Sequence, residues 1–415
     1  MGGRFGLQVR VCFRVSAPPG TLRPVPRTTS QAPVAEWKIP LSDVLVEDEL
    51  LAALHETVAS GWWSMGPRVG AFEAEFAALT GAKHAFAVAN GTAALHIALL
   101  AVGAGPADEV VLPSLNFVAA ANTVVHTGAV PVFCDVRSER DLNLDPGDLE
   151  AALTERTRAV VVLHYGGYAC EIEAVLDACR SRGIAVVEDA AHAVGATHNG
   201  RFCGTFGDVG CFSFFSNKNL PVGEGGMVIT DDDGLAERLR LLRSHGMTTL
   251  TWDRHRGHAA GYDVLEPGFN YRLDELRAAL GSVQLRRLAE RNAARGDLVR
   301  RYRERLDARE GLVVPFADDE ASSHHLAVAV LPEGAARDDV RARLAAARIQ
   351  TSVHYPPIHR FSAFAANRSR PLPRTDALGE RILTLPLYAH MEPEQVDTVA
   401  DALLEALKES GPAAE

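Results

Sequence analysis

The apolar positions of this chain follow two periods that alternate along the sequence. From Trp37 onward, apolar runs of four to six residues alternate with longer segments whose apolar residues recur at helical spacing. This alternation predicts a mostly parallel sheet covered by helices, which is the α/β class. The predicted strands are His84–Ala89, Glu109–Leu112, Val130–Phe133, Ala159–His164, Ile184–Glu188, Gly210–Phe215 and Gly226–Ile229.

Helical spacing is clearest in two crossover segments, Ala93–Leu100 and Ile172–Arg182, and in one much longer stretch, Asp274–Leu306. The long stretch is rich in leucine, arginine and glutamate, as expected for a solvent-facing helix that joins two lobes. We therefore predict a large domain over residues 36–285 and a smaller α+β domain over residues 286–415. The elements predicted in the smaller domain are a strand at His325–Val330 and helices at Arg337–Ala346 and Pro393–Lys408.

The composition is that of a folded globular protein, with 47% hydrophobic and 23% charged residues among 415. The net charge of -11 offers no general attraction to nucleic acids or anionic membranes. No apolar run approaches the roughly 20 residues that cross a bilayer. We therefore expect neither a nucleic acid nor a membrane among the partners.

Residues 1–35 differ from the rest of the chain, because they contain several arginines and prolines and no acidic residue. They lack the continuous apolar region of a secretory signal, so we predict a disordered tail or a mis-assigned start. The six cysteines form no C-x-x-C pair and no cluster with histidine. We expect free thiols in a reducing cytoplasm and no metal site.

The segment Asn90–Leu95 follows a predicted strand and opens a predicted helix. Gly91 would allow close backbone approach, and Thr92 would supply a hydroxyl and the N-cap. Exposed amides at a helix start favour a phosphate. An ordinary capped turn would explain the same residues equally well.

The segment Glu188–His192 directly follows a buried predicted strand. A carboxylate at Asp189 could keep a pyridine nitrogen protonated, and His192 could lie against the ring. Taken alone, an N-capping aspartate and a core histidine are the more common roles of such residues.

Lys218 leaves the apolar strand Gly210–Phe215 before a glycine-rich turn at Gly223–Gly226. A lysine amine forms a Schiff base with an aldehyde only when it is uncharged, and burial lowers its pKa in that direction. Ser213 could bind a phosphate, and Phe117, at another strand end, could stack on a flat ring. The simpler alternatives are an exposed lysine and a core phenylalanine.

A single cofactor would account for all of these strand ends, because pyridoxal 5′-phosphate carries a phosphate, a flat ring, a ring nitrogen and an aldehyde. The chain also resembles the DegT/DnrJ/EryC1/StrS aminotransferases, fold-type I pyridoxal-phosphate enzymes that act on sugars and cyclitols. The resemblance extends from about Ile39 to the C-terminus. Its motifs are Gly66–Val69, Asn90–Leu95, Gly128–Phe133, Glu188–His192, Ser213–Gly226, Gly268–Arg272 and His354–Pro356.

The resemblance implies that Lys218 is the Schiff-base lysine, Asp189 the partner of the ring nitrogen and His192 a ring contact. Many relatives have Thr-Phe where this chain has Asn116-Phe117, a departure that keeps the stacking ring but changes its neighbour. The other implied roles are the phosphate contacts of Gly91, Thr92 and Ser213, the stacking of Phe117, and a phosphate contact of Asn270 from the neighbouring subunit of a homodimer.

The resemblance further implies transamination in two halves. Glutamate or glutamine would give its amino group to the cofactor, which would then aminate a keto-sugar attached to a nucleotide, or a keto-cyclitol. His354, Tyr355 and His359 are the candidates for the substrate pocket. The basic and aromatic loop Trp252–His258 could contact a nucleotide, although a solvated surface loop explains it equally well.

Three alternatives remain open at this point. A dehydratase of the same family would carry histidine in place of the lysine, which Lys218 argues against. An enzyme acting on amino acids would need a binder for the substrate carboxylate, for which Arg360 and Arg374 are candidates. A cofactor-binding regulator without turnover is the third possibility.

Overall fold

A seven-stranded sheet forms the centre of the described part of the protein. The computed structural model describes residues 37–249, 252, 255–257, 261–317, 321–367 and 370–409. In chain order, its strands are β1 (His84–Val88), β2 (Glu109–Pro113), β3 (Val130–Cys134), β4 (Val136–Ser138), β5 (Asp141–Leu144), β6 (Thr157–Leu163), β7 (Ala185–Asp189), β8 (Thr197–His198), β9 (Arg201–Phe202), β10 (Val209–Ser213), β11 (Gly226–Thr230), β12 (Ala327–Val330) and β13 (Ile382–Leu385).

The strands of the large sheet lie side by side in the order β1, β11, β10, β7, β6, β2 and β3. β11 is antiparallel to both of its neighbours, and the pairs from β10 to β3 are parallel. The inner strands are buried along most of their length, as expected when helices cover both faces of a parallel sheet. The predicted α/β fold is confirmed, and the seven predicted strands are present with ends shifted by at most two residues.

The helices include the two predicted crossovers and the long predicted helix, which begins at an N-cap formed by Asp274. None of the helices in the described ranges combines the length and hydropathy needed to span a bilayer. The helices are α1 (Asp48–Ala59), α2 (Pro67–Thr80), α3 (Gly91–Ala101), α4 (Ala119–Thr127), α5 (Pro146–Ala152), α6 (Ile172–Arg180), α7 (Asp233–Arg243), α8 (Glu275–Leu306), α9 (Arg337–Ala346), α10 (Pro373–Arg381) and α11 (Pro393–Glu409).

Strands β12 and β13 form a separate antiparallel pair. Their apolar side chains pack with Tyr302 and Leu306 of α8 and with α9 and α11. An earlier residue of α8, Leu288, packs into a core beneath the large sheet. Because α8 contributes to both cores, the domain division at residues 285 and 286 stays a prediction. The predicted strand His325–Val330 begins only at Ala327, so His325 precedes it.

Candidate active site

The motifs at the strand ends meet at one edge of the large sheet. In the sheet register, Asp189 lies opposite Leu163 on one side and opposite Cys211 on the other. Carboxyl ends of neighbouring parallel strands face the same edge, which is where ligands bind in such sheets. A cavity of about 390 Å³ opens there. Its walls include Gly91, Thr92, Phe117, Asp189, His192, Ser213, Lys218, His354 and Tyr355.

The start of α3 forms one wall of the cavity. Asn90 Oδ1 accepts a hydrogen bond from the amide of Ala93 at 2.8 Å, so Asn90 is the N-cap. The prediction that Thr92 is the N-cap is wrong, because Thr92 is the second residue inside the helix. This placement leaves the amides of Gly91 and Thr92 in the first turn, where the helix itself offers them no carbonyl. Such amides are suited to bind an anion.

Gly91 lies against Ser213 at the end of β10. A Cβ atom at position 91 would come within 2.8 Å of Ser213 Cβ and 3.3 Å of Ser213 Oγ. Only glycine fits this close approach without a shift of the backbone. The approach brings the Ser213 hydroxyl beside the first amides of α3, and these groups together form a small polar cradle.

Asp189 is the last residue of β7 and is only 5% exposed. Its Oδ1 accepts a hydrogen bond from the amide of Ala191 at 3.2 Å. Burial raises the pKa of Asp189, and the Ala191 amide and the Lys218 charge oppose that rise. A cationic ring nitrogen in the cavity would stabilise this carboxylate for the same reason.

Lys218 follows β10 by five residues, and its side chain reaches the same cavity as Asp189. Burial lowers the pKa of the Lys218 amine to about 8, although the Asp189 charge favours the ammonium form. A minority of the Lys218 amines, roughly one in ten, is therefore uncharged at pH 7. The Lys218 Nζ atom lies 3.3 Å from Nε2 of His325. The alternative of an exposed surface lysine does not describe this residue.

His192 lies beside Tyr355 in the cavity wall. Its Nδ1 accepts a hydrogen bond from the Gly166 amide at 3.3 Å, which places the ring proton on Nε2. Nε2 then donates to Tyr355 Oη at 2.8 Å. Burial, with a smaller effect of the Lys218 charge, lowers the pKa of His192 well below its usual range. The neutral ring therefore leaves the Tyr355 hydroxyl proton available to another acceptor.

Phe117 is 53% exposed and lines the cavity, so the core-phenylalanine alternative is wrong. Its ring centroid lies 5.7 Å from that of Tyr355. The preceding Asn116 is 1% exposed, and its Oδ1 accepts from the Phe117 amide at 2.6 Å. Asn116 Nδ2 is therefore left as a buried donor near Asp189. It lies near enough to lower the pKa of Asp189, yet it makes no well-formed hydrogen bond with any described residue.

The structure does not bring His359 to the cavity. Its ring is 5% exposed, with Nδ1 bound to Ser114 Oγ at 2.7 Å and Nε2 to Asp376 at 3.1 Å. These bonds hold His359 below the surface between β2 and α10, so the expected substrate contact is not supported. His354 and Tyr355 do line the cavity. Burial lowers the pKa of His354 to about 4.

Asn270 lies outside the cavity of its own chain. Its side chain is exposed, and its backbone bridges to Ser244. This position is compatible with a contact to a neighbouring subunit, which stays a prediction.

The basic and aromatic loop is only partly within the described residues, because Asp253, Arg254 and His258 lie outside them. Trp252 and His255 pack against Trp62, with ring centroids 4.7 and 4.6 Å away. Whether this loop contacts a nucleotide stays a prediction.

The two arginines considered for an amino-acid carboxylate are engaged elsewhere. Arg360 pairs with Asp376 and Glu380, and Arg374 pairs with Asp135 and Asp145. Neither lines the cavity. The hypothesis that either one binds a substrate carboxylate there loses its support.

Two buried groups next to the predicted residues had no role predicted from the sequence. Glu188 accepts hydrogen bonds from three backbone amides and from Nε2 of His164 at 2.9 Å, with both side chains fully buried. His325 contacts Lys218 although 107 residues separate them. The only local signal for either was a polar residue at the border of an apolar strand, which is too common to single out a function.

The chain is similar in sequence to a known family and to one of its relatives. The DegT/DnrJ/EryC1/StrS aminotransferase family matches residues 45–404. The spore coat polysaccharide biosynthesis protein SpsC of Bacillus subtilis (strain 168) is 42% identical over 379 residues, covering 89% of this chain and 97% of that protein.

Two solved structures are also similar. The aminotransferase TlmJ from Streptoalloteichus hindustanus superposes with a TM-score of 0.83 at 37% identity, covering 89% of this chain and 99% of that one. The PLP-form of the sugar aminotransferase Spr1654 from Streptococcus pneumoniae, whose assignment is described as putative, gives a TM-score of 0.82 at 26% identity, covering 89% and 99%.

Proposed function

This chain belongs to the DegT/DnrJ/EryC1/StrS family of pyridoxal-phosphate-dependent aminotransferases, and on that premise we propose that it aminates a sugar-type ketone. The amino donor is glutamate or glutamine. The acceptor is a keto-sugar, in the first place one attached to a nucleotide, or a keto-cyclitol. The observation that carries the proposal is the convergence of Lys218, Asp189 and the Gly91–Ser213 cradle on one cavity.

The cavity fits the cofactor at three separate places. The first amides of α3 and the Ser213 hydroxyl suit the phosphate, and the close approach of Gly91 leaves no room there for a larger side chain. The buried Asp189 carboxylate suits the ring nitrogen. The Lys218 amine opens on the same cavity and suits the aldehyde carbon. When bound, pyridoxal phosphate supplies an electron sink for the carbon that loses or gains a proton.

Lys218 moves the proton in this proposal. Because the pKa of its amine is lowered to about 8, part of the population is uncharged near neutral pH and can accept a proton from the donor's Cα. In the second half of the cycle, the ammonium form returns a proton to the carbon that carried the keto group. His192 and Tyr355 border the same space, and the Tyr355 hydroxyl can donate to a substrate oxygen.

The choice of a sugar-type acceptor draws support from the cavity and from the relatives. Polar side chains in the cavity wall, including Asn217 and Glu224, can bind hydroxyl groups. The SpsC protein is named for polysaccharide biosynthesis, and Spr1654 is described as a sugar aminotransferase. Retention of Lys218 disfavours the related dehydratase reaction.

We also propose a homodimer with shared active sites. Asn270 is exposed and lies outside its own cavity, as a residue serving a neighbouring subunit would. Phe117 and Phe215 both line the cavity and are 53% and 44% exposed, so a second subunit would cover apolar surface at the cavity mouth.

The test is a substrate panel. Protein loaded with the amino form of the cofactor is mixed with nucleotide-linked keto-sugars, keto-cyclitols and 2-keto acids, and return of the visible absorption of the aldehyde form is followed. We expect turnover with at least one sugar or cyclitol ketone and none with Lys218→Ala. Reaction with 2-keto acids alone would overturn the proposed acceptor class.

A further inference from the structure

A row of hydrogen-bonded, buried side chains leads to the Lys218 amine from outside the cavity lining. The Lys218 Nζ atom lies 3.3 Å from His325 Nε2, and His325 Nδ1 lies 3.0 Å from Asn219 Oδ1. Asn219 in turn binds Asn292 on α8. Asn219, His325 and Asn292 are 6%, 5% and 8% exposed.

Backbone carbonyls fix the direction of the hydrogen bonds among these three side chains. Asn292 Nδ2 donates to the carbonyl of Val194 at 3.0 Å, so Asn292 presents its Oδ1 to Asn219. Asn219 Nδ2 donates to that oxygen at 2.8 Å and to the carbonyl of Ser323 at 2.6 Å. Because a carbonyl can only accept, Asn219 must present its Oδ1 to His325.

The tautomer of His325 follows from this arrangement. Nδ1 carries the proton, since it donates to Asn219 Oδ1, and Nε2 keeps a lone pair. Protonation of Nε2 is opposed by burial and by the charges of Lys218 and Arg295, which lower the pKa of His325. The ring therefore presents an acceptor, and no donor, to the Lys218 amine.

We propose that His325, held in this tautomer by Asn219, is a positioning residue that accepts a hydrogen bond from Lys218 and directs its Nζ within the cavity. The proposal rests on the proposed function only in taking Lys218 as the reacting amine. An acceptor binds an ammonium group more strongly than a neutral amine. Loss of the His325 contact should therefore lower the pKa of Lys218 further and leave its side chain less restricted.

The chain is well suited to a direct measurement, because it contains only four lysines, Lys38, Lys83, Lys218 and Lys408. The other three are exposed and serve as internal references. Full-length protein without cofactor is treated briefly with formaldehyde and a borane reductant across a pH series. Peptide mass spectrometry then gives the extent of methylation at each lysine. For the unaltered protein we expect a midpoint near pH 8 at Lys218.

The variants separate positioning from general loss of structure. Asparagine at position 325 can reach Asn219 but not Lys218, whereas glutamine can place an oxygen where Nε2 stands. We expect His325→Asn and Asn219→Leu to move the Lys218 midpoint down by about 1–2 pH units, the effect of losing one hydrogen bond to a charged group. His325→Gln should stay within about 0.3 unit of the unaltered protein. The matched control is His324→Asn, which changes the adjacent buried histidine. His324 contacts Tyr168 Oη and not Lys218, and its φ angle is positive, which asparagine tolerates.

Each outcome decides the proposal. Unchanged midpoints in both His325→Asn and Asn219→Leu would overturn it, and so would an equal downward shift in His324→Asn. If His325→Asn does not fold by circular dichroism, the comparison of Asn219→Leu with His325→Gln decides in the same way. The measurement involves no sugar and no turnover, so failure of the substrate panel would overturn the proposed acceptor while leaving this result standing.

Discussion

Replacing Gly91 by alanine tests the proposed phosphate cradle with a single methyl group. The added Cβ would lie 2.8 Å from Ser213 Cβ, whereas carbon atoms in contact normally lie about 3.5–4.0 Å apart. The start of α3 or the end of β10 must therefore move by roughly 0.7 Å or more. The φ angle of Gly91 lies outside the left-handed region, so the cost is steric.

A shift of this size would carry the amides of Gly91 and Thr92 beyond hydrogen-bonding distance of a bound phosphate. Losing one such charge-assisted bond costs about 1.5–3 kcal/mol, which corresponds to a rise of roughly 10- to 150-fold in the Kd for pyridoxal phosphate. Alanine favours helix more than glycine does, so weaker binding could not be blamed on loss of α3.

The assay is titration of cofactor-free protein with pyridoxal phosphate and, separately, with pyridoxal, which lacks the phosphate. We expect Gly91→Ala to weaken pyridoxal phosphate binding by the factor above and pyridoxal binding by less than about threefold. In the double variant Gly91→Ala/Ser213→Gly the clash partner is absent, so the two changes should be less than additive, with Ser213→Gly alone reporting the hydroxyl. Unchanged binding in Gly91→Ala, or equal losses for both ligands, would refute the phosphate assignment.

Two further predictions concern buried polar groups near the cavity. Glu188→Gln should lower the free energy of unfolding by about 3–5 kcal/mol, as measured by urea unfolding. Each carboxylate oxygen of Glu188 accepts from two donors, so the NH2 group of glutamine would face two donors in either orientation of the amide. The exposed Glu173→Gln, which also removes a contact to a histidine, should cost less than about 1 kcal/mol, and similar losses in both variants would contradict the reasoning. Stability should also fall as the pH drops from 6.5 towards 4, because burial lowers the pKa of His192, His325 and His354, so the unfolded chain binds more protons than the folded one. His354→Gln should reduce the loss of unfolding free energy measured between about pH 7.5 and about pH 5, and an undiminished loss would show that His354 does not contribute.

The sequence was most informative where function and local pattern coincide. Apolar runs located the strands of the large sheet, and the residues that follow them, Asp189 and Lys218, reach one cavity because parallel strands end at the same edge. Local pattern could not decide between neighbouring capping residues. Asn90 and Thr92 are both good N-caps, and the point at which the chain leaves β1 selects Asn90.

Contacts between distant segments were beyond the reach of local pattern. His359 was expected at the substrate but is held by Ser114, which is 245 residues away along the chain. His325 was assigned to a strand and given no role, yet it contacts Lys218 through a tautomer set by Asn219. Strand β13 was missed because its four residues lie directly between a helix and a proline, with too little length to show a period.

The measurement that bears most directly on the central claim is to locate the cofactor covalently. Protein reconstituted with pyridoxal phosphate is reduced with borohydride, digested, and mapped by mass spectrometry over its four lysines. We predict one phosphopyridoxyl group per chain, on Lys218, with no loss of folding but no label in Lys218→Ala. A label on Lys38, Lys83 or Lys408, with Lys218 unmodified, would contradict the account.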